Sequence, residues 1–166
     1  TDSALKYLSK FSKLMRLTLE YSKGSLIPID KEIESLQNYL ELEKLRFHDK
    51  FEFEIRSSDK VEFNMGLPPL LIQPFVENAI WHGLLNSEKP TKWVKVTAIF
   101  DQNHRKCYFT IEDNGIGRQR SAELKSKAFK SHRSIGMQLV EDRVKLFNKS
   151  EKHLEISIEN KIKNGE

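Results

Sequence analysis

Residues 106–117 read KCYFTIEDNGIG, and this stretch decides how the chain folds. Apolar and polar residues alternate up to Ile111, which is typical of a half-buried strand. The Asn114–Gly115 pair that follows is the strongest short signal for a β-hairpin. A hairpin needs a second strand, but residues 118–124 read RQRSAEL and do not alternate. A functional turn at the end of a buried strand is therefore favoured, and a hairpin stays the alternative.

The composition is that of a globular domain. The 166 residues suffice for one domain with a substantial core, and 38% of them are hydrophobic. The net charge is +4 without a long basic run, so nucleic-acid binding is disfavoured. The single cysteine, Cys107, excludes an internal disulfide and fits a reducing compartment. No stretch approaches the ~18 apolar residues of a membrane span. Because the chain starts at Thr1, we expect a fragment of a longer protein.

Periodicity predicts the order of the secondary structure elements. The two N-terminal segments have helical spacing, and the second is expected to begin with Asp30 as its N-cap. The other segments alternate or carry helical stripes. The predicted helices cover 4–21, 30–47, Pro69 or Gln73 to Leu84, and 135–148, and the predicted strands cover 51–55, 61–65, 93–100, 106–112 and 154–158. This order indicates an α/β (α+β) fold, a two-layer sandwich in which helices cover one face of a mixed β-sheet.

The first helix carries a narrow apolar seam. It consists of Ala4, Leu8, Phe11 and Met15, spaced by four, three and four residues. Such a seam packs on another helix. Self-association and a contact within the chain explain it equally well.

The segment Glu77-Asn78-Ala79-Ile80-Trp81-His82 places polar residues on an otherwise apolar helix. Asn78 and His82 are four residues apart and share a face, whereas Glu77 aligns with Trp81. An Asn carbonyl oxygen can supply a ligand to Mg²⁺ while phosphates supply others. The alternative is a helix end whose polar residues face solvent.

Asp113 and the two glycines after it predict a purine site. A carboxylate at the end of a strand can accept a hydrogen bond from the adenine amino group and rejects a ring with oxygen there. Gly115 and Gly117 allow positive φ and close approach to a planar ring.

Residues 130–144, KSHRSIGMQLVEDRV, predict a helix that starts after a polar stretch. Free N–H groups at the helix start attract phosphate, and Lys130, His132 and Arg133 could add donors. A single glycine, Gly136, is weak support, and an ordinary helix start is the alternative.

Together these stretches resemble the Bergerat-fold ATP-binding domain that histidine kinases share with gyrase-type and Hsp90-type ATPases. VENAIWHG (76–83) resembles the N box, DNGIG (113–117) the G1 box and SIGMQLV (134–140) a reduced G2 box, with 118–133 as the ATP lid. LQNYLELEKLRFHDKFEFEI (36–55), LPPLLIQPFVENAIWHG (67–83) and GMQLVEDRVKLFN (136–148) resemble the LytS-type sensor histidine kinases in particular.

The resemblance implies a site for ATP and Mg²⁺. Asp113 would hold adenine, Asn78 would bind Mg²⁺ between the phosphates, and Glu77 would orient the reacting groups. The remaining implied nucleotide-binding residues are His82, Gly115, Gly117, Arg133, Ile135 and Gly136.

The resemblance also implies an organisation and partners. Residues 1–28 would be the end of a dimerisation helix with its linker, and 29–166 the catalytic domain, with its last strand apparently missing. The phosphoacceptor His would lie on a helix absent from this chain. We expect a homodimer, a response regulator of the LytTR type as partner, no nucleic acid, and a cytoplasmic domain of an inner-membrane sensor.

Two other functions stay open. A degenerate interaction module of the same fold is favoured by Trp81, where such kinases commonly have Lys, and by the single glycine of the G2 box. A non-kinase ATPase of this fold would need a carboxylate base at position 74, where this chain has Pro74.

Overall fold

The computed structural model of the chain describes residues 2–22, 26–58, 66–104, 106–117, 123 and 135–149. The helices are α1 (Asp2–Ser22), α2 (Ile29–Arg46), α3 (Gln73–Asn78), continued by a π-helical segment (Ala79–Leu84), and α4 (Ile135–Asn148). The strands are β1 (Ile27–Pro28), β2 (Glu52–Ser57), β3 (Gly66–Leu67), β4 (Trp93–Asp101) and β5 (Lys106–Asp113). The strands predicted at 61–65 and 154–158, and nearly all of the predicted lid, lie outside the described residues.

The main sheet is mixed, as predicted. Its order is β2-β4-β5, with β2 parallel and β5 antiparallel to β4. Because strand residues alternate between faces, every second side chain of β4 points toward the helices. Those residues are Val94, Val96, Ala98 and Phe100, and each is at most 7% exposed. The helices therefore cover one face, and the predicted two-layer α/β architecture is confirmed.

Two apolar clusters join the layers. The larger connects α2, α3 with its π-helical continuation, β2 and β4, with Leu40, Ile80 and Leu84 fully buried. The smaller connects the start of α2, the chain before α3, β4 and α4 through Ile29, Leu71, Phe100 and Val140. A short ladder that the sequence did not predict, β1 with β3, pairs Ile27 with Leu67 beside the smaller cluster.

Helix α1 lies on α2, but not through its predicted seam. Leu14 joins the larger cluster, with Tyr7 packed against it. Lys10 and Lys13 form ion pairs with Glu41 and Glu34 of α2. The seam itself is exposed: Ala4 lies at the surface, and Leu8, Phe11 and Met15 are 57%, 42% and 43% exposed. A contact within the described chain is therefore the wrong explanation of the seam.

The predicted N-cap of α2 is also wrong. The helix begins at Ile29, after Pro28, so Asp30 lies inside its first turn. Ile29 is completely buried in the smaller cluster, and this burial outweighs the local preference for an Asp cap. Along the same helix, Leu36 and Leu40 are buried and Ile33 is partly buried.

The helix of the Asn78 segment begins at Gln73 and not at Pro69. Pro74 lies in its first turn, where the missing N–H of proline has no consequence. The chain before it turns through Leu70, whose φ is +57°. The change to a π-helix at Ala79 was not predicted. It is marked by the 3.0 Å hydrogen bond from the Leu85 N–H to the Ile80 carbonyl. Such turns are rare and often lie at functional sites.

Candidate nucleotide-binding site

Asn114 fixes the turn that follows β5. Its amide nitrogen donates to the Thr91 carbonyl, and its side-chain oxygen accepts from the Trp93 N–H, both at 2.8 Å. The side chain thus ties the end of β5 to the start of β4. The described residues 114–117 form no strand. Neither Asn114 nor Gly115 has the positive φ that a two-residue type I′ hairpin needs, so this Asn-Gly pair does not form that turn.

The turn packs directly on the π-helical segment. A Cβ atom on Gly115 would lie 2.3 Å from the carbonyl carbon of Gly83, closer than any real contact. The Ile116 N–H donates to the Gly83 carbonyl at 3.3 Å. Among the described glycines, positive φ occurs at Gly117, with +77°, and not at Gly115. The expectation of positive φ is therefore confirmed for Gly117 and wrong for Gly115, which is needed for close approach.

The carboxylate of Asp113 lies at this contact. One of its oxygens, Oδ1, accepts the Gly115 N–H at 2.8 Å, and the side chain stays exposed at the end of β5. A Cβ atom on Gly83 would be 2.7 Å from the same oxygen. Gly83 is thus a site residue that the sequence reasoning missed. Its place at the end of VENAIWHG was the signal available.

The predicted residues of the Asn78 segment divide between two sides. Asn78 ends α3, and His82 lies in the π-helical segment next to Gly83. Glu77 accepts a hydrogen bond from the Gln73 side chain at 2.9 Å. Burial raises the pKa of the Tyr39 hydroxyl and of the Glu43 carboxyl on α2, and the negative charge of Glu77 acts in the same direction. Asp113, Gly115 and Gly83 are brought together, whereas Glu77 lies toward α2.

The α2 groups near Glu77 form a buried polar cluster. Burial raises the pKa of the Tyr39 hydroxyl and of the Glu43 carboxyl, and the charge of Glu77 adds to both shifts. Arg46, 3.5 Å from Glu43, acts in the opposite direction on both groups. Oε2 of Glu43 has no hydrogen-bond partner among the described residues. The folded chain therefore disfavours the charged form of Glu43.

Trp81 contacts the end of α2. Its ring meets that of Phe47 edge-on, with centroids 5.2 Å apart. The guanidinium of Arg46 lies 4.8 Å from the centre of the Trp81 ring, a cation–π contact. At this position, where the resemblance implies Lys, Trp81 thus forms an aromatic contact between the π-helical segment and the end of α2.

Ile135 and Gly136 open helix α4, as predicted. Arg133, Lys130 and His132 lie outside the described residues, so their predicted roles stay predictions. Further along α4, Val140 is buried in the smaller cluster, and Arg143 donates to the Pro69 carbonyl. The helix after the predicted lid is therefore anchored on the chain that leads into α3.

The donor set fits a nucleotide with Mg²⁺. The exposed Asp113 carboxylate can accept an amino hydrogen, and the glycines at 83, 115 and 117 add no side chains around it. An amide oxygen such as that of Asn78 is a hard donor of the kind that Mg²⁺ takes beside phosphate oxygens. No cluster of three or more His, Cys, Asp or Glu occurs in the part of the chain that the structure describes. No helix there is long and apolar enough to cross a bilayer.

Known proteins define the class. A family model described as histidine kinase matches residues 1–51. The protein YwpD of Bacillus subtilis is 30% identical over 151 residues, which cover 90% of this chain and 53% of YwpD. The sensor protein LytS of Oceanobacillus iheyensis is 36% identical over 117 residues, covering 70% of this chain and 19% of that protein. LytS of Bacillus anthracis is 28% identical over 166 residues, which cover 99% of this chain and 28% of that protein.

These similarities place the chain among the histidine kinases. Within that class it belongs with the LytS-type sensor proteins, as the sequence motifs indicated. The chain spans about half the length of YwpD, and 19% and 28% of the lengths of the two LytS proteins.

Proposed function

We propose that this chain is the ATP-binding catalytic domain of a LytS-type sensor histidine kinase, preceded by the end of its dimerisation helix. The full protein would transfer the γ-phosphoryl group of ATP to a His outside this chain, and then to an Asp of a response regulator, of the LytTR type by resemblance. The observation that carries the proposal is the contact of the Asp113–Gly115 turn with Gly83. It joins the two motifs that would hold the nucleotide.

Asp113 would select adenine. Its Oδ1 is occupied by the Gly115 N–H, and its other oxygen would accept a hydrogen from the adenine amino group. Guanine carries oxygen at that position, so two acceptors would face each other. Gly115 and Gly117 would form the floor of the purine site.

The phosphates would lie between α3 and the start of α4. Asn78 would bind Mg²⁺, while His82, Arg133, Ile135 and Gly136 would contact the nucleotide. Glu77, which accepts a hydrogen bond from Gln73 in this structure, would orient the reacting groups. Mg²⁺ would neutralise charge on the transferring phosphoryl group, and the protein would supply mainly positioning.

The domain boundaries at 28 and 29 remain part of the proposal. Leu8, Phe11 and Met15 leave an apolar face exposed on α1, and a second copy of this chain would cover it in a homodimer. By resemblance, the domain would lie in the cytoplasm, attached to an inner-membrane sensor.

Calorimetric titration of ATP with Mg²⁺ into the Asp113→Asn variant tests the proposal. The substitution keeps the oxygen that accepts from Gly115 and replaces the other with an amino group. Loss of one charged hydrogen bond should weaken ATP binding roughly 10- to 100-fold. Asp101→Asn, at the other end of the β4–β5 ladder, is the control and should bind normally. Unchanged affinity of the Asp113 variant would refute the adenine assignment.

A degenerate interaction module is the second candidate, favoured by the contact of Trp81 with Arg46 and Phe47. It predicts no ATP binding by the wild type in the same titration. We expect the chain to bind ATP but not to phosphorylate itself, and acid-labile phosphate on the purified chain would contradict this. A non-kinase ATPase is disfavoured, because Pro74 occupies the position of the required base.

A further inference from the structure

Glu32, in the first turn of α2, carries a buried carboxylate that the nucleotide site does not use. The residue is 2% exposed. Its Oε2 accepts the Leu70 N–H and its Oε1 accepts the Ile72 N–H, both at 2.9 Å. Burial raises the pKa of the Glu32 carboxyl, and the N–H groups of Ile72 and Leu70 together with the charge of Arg143 oppose this rise.

The two N–H groups belong to the chain that leads into α3. Leu70 has φ +57°, a conformation that branched side chains rarely adopt and that surrounding contacts must hold. Ile72 is the N-cap residue of α3, and the N3 residue, Phe75, has no side-chain acceptor for the Ile72 N–H. Glu32 therefore supplies this acceptor from α2, 40 residues away.

A second tether reaches the same loop from α4. Arg143 donates to the Pro69 carbonyl, and its positive charge also acts on Glu32. Beside this contact, Leu71 packs in the smaller cluster with Val140 of α4 and Ile29 of α2. The start of α3 is thus held between α2, through Glu32, and α4, through Arg143.

The other end of the same helical segment is held separately. Gly83 contacts the turn of Asp113 and Gly115. Asn78 lies between the two anchors, at the junction of α3 and the π-helical segment. Release of the first anchor would move Asn78 while the contact at Gly83 persists.

We infer that Glu32 is a positioning residue for the magnesium end of the nucleotide site, because its two hydrogen bonds fix the start of α3 and so the place of Asn78 relative to Asp113. This inference rests on the proposed function. It adds a residue of α2, far from the motifs that would touch ATP, to the groups that determine how Mg²⁺ and the phosphates are bound.

Nucleotide titrations of Glu32→Gln test the inference. Three dissociation constants are measured for each variant: ATP with Mg²⁺, ATP with EDTA, and adenosine. Gln offers an amino group to one of the two N–H donors. The factor by which Mg²⁺ tightens ATP binding, taken from the first two constants, should therefore fall about tenfold. Adenosine, which tests the Asp113 end, should change by less than about threefold, within the scatter expected for independent sites.

Two further variants serve as comparisons. Glu34→Gln makes the same substitution at a partly exposed position of α2, where Glu34 pairs with Lys31 and Lys13, and should bind like wild type. Glu32→Asp keeps the carboxyl group with a shorter reach and should recover part of the gain from Mg²⁺.

The outcomes separate the two proposals. If the wild type binds no ATP, the proposed function fails and this inference falls with it. If the wild type binds and Glu32→Gln keeps the full gain from Mg²⁺, the role of Glu32 alone is refuted. An equal loss for ATP and adenosine, together with a lower melting temperature, would indicate a structural role and also refute it.

If Glu32→Gln fails to fold, hydrogen exchange of the wild-type protein tests the inference instead. Because binding and local opening are linked, saturation with ATP and Mg²⁺ should slow exchange of the Leu70 and Ile72 amides several-fold. Unchanged exchange at these two amides would overturn the inference.

Discussion

The contact between Gly115 and Gly83 makes a sharp prediction for Gly115→Ala. The new Cβ would lie 2.3, 2.5 and 2.6 Å from the carbonyl carbon, Cα and oxygen of Gly83. All three are backbone atoms, so no side-chain rotation can relieve the clash. Ordinary contact begins at 3.4 Å, and the turn must therefore move by about 1 Å.

The expected cost follows from that movement. Overpacking of this kind costs about 1–3 kcal/mol. A shift of the turn by this amount also breaks the 3.3 Å bond from Ile116 to Gly83, for about 1 kcal/mol more. A loss of about 3 kcal/mol lowers the melting temperature of a chain of this size by about 6–12 °C. The displaced Asp113 should also weaken ATP binding at least tenfold, about 1.4 kcal/mol.

Gly117→Ala is the matched control. No atom of the described residues lies within 4 Å of its added Cβ, but its φ of +77° disfavours alanine. That strain costs about 1–2 kcal/mol, or about 2–8 °C. Thermal melts followed by circular dichroism compare the two variants. If Gly115→Ala melts at or above the temperature of Gly117→Ala, the close approach is not what requires glycine at 115.

Two further predictions follow from Gly83 and Glu43. Gly83→Ala should weaken ATP binding several-fold, because its Cβ would meet a carboxylate oxygen of Asp113. The melting temperature should change little, because that side chain can move and alanine is about 1 kcal/mol more favourable than glycine in a helix. Wild-type affinity would contradict this prediction. Burial raises the pKa of Glu43, so its stabilising contribution is present below its ordinary value of 4.5 and is lost as the pH rises through the folded-state pKa. Glu43→Gln should therefore melt a few degrees higher relative to wild type at pH 8 than at pH 4, and a gap that is independent of pH would be the contrary result.

Local patterns predicted most of the elements but not all of their ends. Alternation located β4 and β5 within one residue, because side chains of a half-buried strand must alternate. The start of α2 was misplaced, because the burial of Ile29 is a tertiary effect that overrides a local capping preference. The π-helical turn after Asn78 was missed, since the 3.6-residue pattern does not distinguish it from a regular helix.

The candidate site was predicted in part. Residue type and spacing singled out Asp113 and Asn78, and the structure places Asp113 at a glycine-lined turn, while the binding roles of both residues stay predictions. The contacts of Gly83 and Glu32 were missed, because they depend on which distant part of the chain these residues meet. The roles of Arg133 and of the lid stay predictions, since they lie outside the described residues.

The sequence by itself determined the long helices and strands, because these depend on periodicity. The resemblance carried by its spaced motifs indicated the class of protein. Only the tertiary structure decided that α1 leaves its seam exposed, that Gly115 needs glycine for proximity, and that Glu32 holds the start of α3. The physical reason is that these features are contacts between atoms far apart along the chain. No local pattern specifies such contacts until the layers pack.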